Sequence, residues 1–251
     1  MRLASSTWRV WSRPGSERFE VKRAAGLHEL WPNVSLYVME GRGSGPTALV
    51  QAGIHGDEIA GVHALEELLE EGLSPTCGRL LIVPCMNPAA YRARERAAPG
   101  GLDLNRSFPG DATAVEREKR LARVFMDLVL AERPSVMATL HESWKRHHPD
   151  FPVSFGQTVT YGVEPRPPMV DRLCDRMNEA LENPYERWAP HFYPVATSST
   201  EVIVDAIGKE HIDGLCIETW MGFTLERRVA MQKRMVRLIL DEVGVVPFAE
   251  G

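Results

Sequence analysis

Short apolar, β-branched runs alternate along this chain with longer segments whose apolar residues recur at helical spacing. TALVQA (47–52), RLLIVPC (79–85), SVMATL (135–140) and GLCIETW (214–220) read as strands. IAGVHALEELLEEG (59–72), VEREKRLARVFMDLVLAE (115–132), PMVDRLCDRMNEALE (168–182) and TLERRVAMQKRMVRLILDEV (224–243) read as helices, the first stopping at Gly72 and the second before Pro134. Strand, helix, strand units of this kind predict an α/β fold: a three-layer sandwich with a central, mostly parallel mixed sheet flanked by helices.

Three stretches stand apart from this rhythm. VSLYVME (34–40) and TALVQAG (47–53), split by the turn-forming GRGSGP, predict a hairpin. The polar, Gly- and Pro-containing stretch Asn87–Asp111 is too long for an ordinary connection, and long irregular loops are where function concentrates. His147–Phe155 and 186–200 read as rims or lids. With no internal repeat, low-complexity tract or linker, residues 1–251 read as one domain, and 44% hydrophobic residues suffice for its core.

The formal net charge of -5 gives no general reason to expect nucleic acid, whose binders carry a basic face. Cys77, Cys85, Cys174 and Cys216 show no C-x-x-C pairing and read as reduced thiols, three of them in apolar surroundings. The N-terminal twenty residues have polar or charged groups every few positions and lack the apolar stretch of a signal peptide, and no window approaches a membrane span. A cytoplasmic protein is the expectation; the oligomeric state is not encoded legibly.

Polar residues follow or interrupt apolar strands in three places: GIHGDE (53–58), His141 with Glu142 and Ser143, and Glu218 within LCIETW. Ligands of open α/β sheets collect at the carboxyl ends of strands, so these positions can meet. His55 and Glu58 are spaced i, i+3 at a helix start, and His141 would complete a two-His, one-carboxylate set that leaves zinc a free fourth position. A nearby carboxylate, for which Glu218 is the candidate, could then move protons. Each residue alone has a plainer role: a polar loop residue for His55, a first-turn carboxylate for Glu58, a strand-end histidine for His141. Asn105 and Arg106, in GLDLNRSFPG (101–110), are a pairing suited to gripping a carboxylate, or else part of a surface turn.

The order GIHGDE, MNPAA, GLDLNRSFPG, TLHES, CIETW across residues 53–220 resembles the zinc carboxypeptidase superfamily and looks nearest its succinylglutamate desuccinylase/aspartoacylase branch. The resemblance implies one zinc ion on His55, Glu58 and His141, and Glu218 as general base and acid. It also implies that Asp103 orients the first ligand histidine, that Asn105 and Arg106 hold the substrate carboxylate, and that a further arginine polarises the scissile carbonyl. Arg96 is best spaced for the last role, with Arg94 second. Two departures matter. Only Tyr193 is remotely placed for the tyrosine of true carboxypeptidases, and a packed aromatic is the favoured reading for it. The C-terminal β-domain common in the aspartoacylase branch is absent from this sequence.

The expected activity is hydrolysis of an amide next to a free carboxylate, on an N-acyl amino acid or a short peptide, with a γ-glutamyl-diaminopimelate cell-wall peptide as the alternative. A non-catalytic binding module is the rival of a different class. Glu142, next to His141 on a strand, is expected to point to the opposite face and act structurally. His63 reads as a residue of the first helix, and His147, His148, His191 and His211 as solvated or rim residues.

Overall fold

The computed structural model describes residues 23–151, 153–179, 181–196 and 198–247; the polar N-terminal stretch lies outside them. Eight strands, β1 (Gly26–Trp31), β2 (Val34–Glu40), β3 (Thr47–Ala52), β4 (Arg79–Val83), β5 (Val136–Ser143), β6 (Thr158–Tyr161), β7 (Ala189–Phe192) and β8 (Asp213–Trp220), form one sheet. Its order is β1-β2-β4-β3-β5-β8-β6-β7. The four contiguous strands β4-β3-β5-β8 are parallel, as are β6 and β7, whereas β1-β2, β2-β4 and β6-β8 pair antiparallel.

The helices are α1 (Ala60–Glu70), α2 (Pro88–Ala93), α3 (Arg117–Glu132), α4 (Pro168–Asn178), α5 (Ser199–Ile207) and α6 (Leu225–Glu242). Alternate residues of β3 and β5 sort the core into two layers. Ala48, Val50, Val136 and Ala138 pack with α1, α4 and α6, whereas Leu49 and Met137 pack with α3 and α5. All six residues of β3 are buried, as expected of a strand covered on both faces.

The expected hairpin between 34–40 and 47–53 is not formed. β4 inserts between β2 and β3, pairing antiparallel with one and parallel with the other. The hairpin partner of β2 is instead β1, joined to it through Pro32 and Asn33, the latter in the left-handed region. A continuous apolar strand such as β4 takes two partners, and that pairing overrides the local turn signal. The stretch 186–200 is also more ordered than read, holding β7 and the start of α5.

Candidate active site

At the end of β3 the chain turns through Gly53 and buries Ile54 before presenting His55 and Glu58 ahead of α1. This loop is clamped against the exit of β4: Met86 N–H donates to Ala52 O, Asn87 N–H to Gly53 O, and Gly56 N–H to Glu95 O. A Cβ on Gly56 would stand 1.9 Å from the carbonyl carbon of Ala90, so the close approach to α2 requires glycine there.

His55, Glu58 and His141 are all buried, and one ligand atom from each lies within 4.8 Å of the others. The Nδ1 atoms of His55 and His141 each stand 2.7 Å from a different oxygen of Glu58. Two imidazoles and one carboxylate, buried at the wall of a cavity, are a donor set suited to a single zinc ion. Burial by itself would lower the His55 pKa, but the Glu58 and Asp103 carboxylates outweigh it and raise it to about 9. The two histidines in turn hold Glu58 well below the carboxylate range, against the opposing effect of its burial.

The groups that stand behind the donor set come from the Asn87–Asp111 stretch, which contains α2 and a 3-10 turn at Leu104–Arg106. Asp103 Oδ1 accepts from Asn105 N–H at 2.9 Å and lies 3.4 Å from His55 Nε2. Its Oδ2 accepts from Arg96 Nε at 3.0 Å and Nη2 at 2.9 Å. Arg96 Nη1 reaches to 3.4 Å from His55 Nδ1, so this arginine faces the donor set. Arg94 does not: it ends α2 in the left-handed region with its guanidinium over the Tyr91 ring. Asn105 Oδ1 accepts from Ser199 N–H at the start of α5, which leaves the amide nitrogen as the group for a ligand. Arg106 is more exposed and lines the same cavity.

His141 and Glu218 are register partners on the parallel strands β5 and β8, so both side chains leave the sheet on the α5 face. Glu218 Oε1 accepts from the Cys216 thiol at 3.6 Å, and Oε2 is buried without a partner among the described residues. Burial, then the Glu58 charge, pushes the Glu218 carboxyl well above the usual range. All eight residues singled out in the sequence come together except Asp103 on the wall of one cavity of about 340 Å³, and Asp103 stands directly behind His55.

Glu142 points to the other face, as its position predicts. It accepts from Ala60 N–H at the start of α1 and from Thr219 Oγ1, and pairs with Arg228 of α6. Tyr193 is packed edge-on against Phe155 and stacked on His191, yet it also lines the cavity, so the purely structural reading is too narrow. His191 is buried on β7 against His147 rather than solvated. The sequence reading misses Cys216, Thr160 and Glu201, which also line the cavity. The first two follow from strand alternation once β6 and β8 are aligned; Glu201 is disguised as a helix-capping residue.

Residues 44–152 match the succinylglutamate desuccinylase/aspartoacylase catalytic domain. Over 102 residues the chain is 44% identical to N-alpha-acetyl-L-2,4-diaminobutyric acid deacetylase of Halomonas elongata, covering 40% of this chain and 29% of that protein. Over 63 residues it is 41% identical to murein peptide amidase A of Escherichia coli, covering 25% and 26% respectively. These matches therefore span less than a third of either relative. Among solved structures, an aspartoacylase family protein from Mesorhizobium loti aligns with a TM-score of 0.65 at 22% identity, over 87% of this chain and 63% of its own. Tripeptide-bound cell shape determinant Csd4 of Helicobacter pylori aligns with 0.72 at 18% identity, over 85% and 56%. The solved structures share this chain's fold, a mixed sheet flanked by helices. By sequence, residues 44–152 are the part of the chain that is similar to the succinylglutamate desuccinylase/aspartoacylase catalytic domain. The matched stretch contains every sequence-predicted site residue except Glu218.

Proposed function

We propose that this chain is a zinc-dependent hydrolase that cleaves an amide bond next to a free carboxylate. The observation that carries the reading is the buried His55, Glu58, His141 donor set opening on the same cavity as Asn105, Arg106 and Glu218. Held by these three residues, one zinc ion would supply Lewis acidity, bringing the pKa of water from 15.7 to about 7 and polarising a carbonyl.

The remaining chemistry belongs to the chain. Glu218 takes a proton from the attacking water on its unpartnered Oε2 and delivers it to the departing amine. The Asn105 amide nitrogen and the Arg106 guanidinium hold the substrate carboxylate. Arg96, anchored on Asp103, lends positive charge to the scissile carbonyl, and Asp103 keeps the His55 ring oriented.

A cavity of about 340 Å³ fits a small substrate, which favours deacylation of an N-acyl amino acid over trimming of a long peptide. The match to a diaminobutyric acid deacetylase supports this choice. Amidase action on a cell-wall peptide is the second reading, supported by the match to murein peptide amidase A. A panel of N-acetyl and N-succinyl amino acids against γ-linked and ordinary short peptides tests both. The expected result is cleavage of acyl amino acids, lost on chelation and restored by zinc. Failure of zinc-loaded protein to cleave any of them would leave the non-catalytic binding module.

A further inference from the structure

Glu201 is a half-buried carboxylate on the first turn of α5, inside the cavity and outside the machinery assigned above. Its sequence setting, Ser198-x-x-Glu201, is that of a capping box, in which the glutamate reaches back to the amide of the serine. Only half of that box forms. Ser198 Oγ accepts from Glu201 N–H, but Ser198 N–H donates to Val195 O, so the carboxylate is not needed for the cap.

The carboxylate lies instead against Gly162, just past β6, where a Cβ would stand 2.4 Å from Glu201 Oε1. It makes no ion pair within 4.0 Å among the described residues; burial raises its pKa, against the lowering effect first of its own backbone amide and then of the Arg106 charge. Burial nevertheless dominates and lifts the group to about 7. A carboxyl kept inside a ligand cavity at that cost, with space made for it by a glycine, calls for a cation that arrives with the ligand.

We propose that Glu201 is a specificity-determining residue that pairs with a second, cationic amine on the carboxylate-bearing half of the substrate. This rests on the hydrolase reading in which Arg106 holds the substrate carboxylate. Because Glu201 feels Arg106, its amine belongs to the half anchored there and not to the acyl half. The preferred leaving product is then a diamino acid, and an uncharged side chain of the same shape leaves Glu201 without a counter-ion.

Calorimetric titration of the zinc-loaded protein with products tests this without requiring turnover. The probes are the isosteric pairs 2,4-diaminobutyrate against norvaline and ornithine against norleucine. The wild type is expected to bind at least one diamino acid about tenfold or more tightly than its isostere, by the strength of a charge-assisted contact. Glu201→Gln should abolish that preference while binding the neutral member as well as the wild type does, which also shows that the variant is folded. A wild type with no preference in either pair, or binding none of the four probes, overturns the proposal. So does a Glu201→Gln variant that loses both members equally, the signature of a residue that merely positions Arg106. The hydrolase reading fails separately, if zinc-loaded wild type cleaves no amide.

Discussion

Replacement of Glu142 by Ala probes the support beneath the candidate metal ligands. Glu142 sits between His141 and Ser143 on β5, but its side chain is fully buried on the opposite face, where it pairs with the nearly buried Arg228. Its other oxygen accepts from Ala60 N–H at 2.9 Å, tying α1 to β5, and Thr219 Oγ1 donates to the same carboxylate. Removing the carboxylate strands the Arg228 charge and a helix-start amide together. Breaking a buried pair from one side costs about 3–5 kcal/mol, and for a chain of this size that lowers Tm by about 6–20 °C. Arg228→Ala should cost less on the Glu142→Ala background than alone, a coupling of about 0.5–3 kcal/mol in a double-mutant cycle. Thermal melts followed by circular dichroism, with zinc content measured on the same samples at a temperature where both are folded, give the readout. The folded variant should keep its metal. A Tm within a few degrees of wild type, or loss of metal from fully folded protein, would refute the assignment of Glu142 as a structural ion pair.

Glu218→Gln should leave the metal bound and lower kcat by about 10²- to 10⁴-fold, as expected for loss of a general acid–base group; a fully active variant sinks the role given to Glu218. Arg106→Ala should raise KM about ten- to hundredfold for a substrate with a free carboxylate and have little effect on the matching carboxamide. The pH dependence of stability isolates Glu201. Its folded pKa of about 7 lies above the ordinary glutamate value of 4.5, so its contribution to stability is full below 4.5 and lost as pH rises towards 7. Wild type should therefore lose melting temperature relative to Glu201→Gln between those values and run parallel to it at higher pH; a constant offset would contradict the shift.

The layered architecture is legible because buried strands and amphipathic helices differ in period, and β3, β4, β5, β8, α1, α3, α4 and α6 all appear near their sequence-read positions. What the pattern hides is pairing. The Gly- and Pro-rich turn after Glu40 looks like a hairpin, but strand neighbours are chosen by burial across the whole sheet, and β4 wins the place beside β3. The short β6 and β7 carry too few residues to show a period, so the wall they form with α5 goes unread. The donor set is legible from His55, Glu58 and the strand-end His141, and Arg96 separates from Arg94 only once Asp103 is placed to hold it. Glu201 stays hidden because a serine three residues before a glutamate is the mark of a helix start, and nothing local reveals that the carboxylate also lines the cavity.

In the proposed mechanism His55, Glu58 and His141 hold one catalytic zinc ion. Elemental analysis of the purified protein after zinc loading and removal of excess metal tests it most directly. Wild type and Glu218→Gln are expected to retain about one zinc per chain, as the four-coordinate site with three protein ligands requires, and His55→Ala, Glu58→Gln and His141→Ala to retain far less. Stoichiometric zinc in all three ligand variants, or none in the wild type, would contradict it.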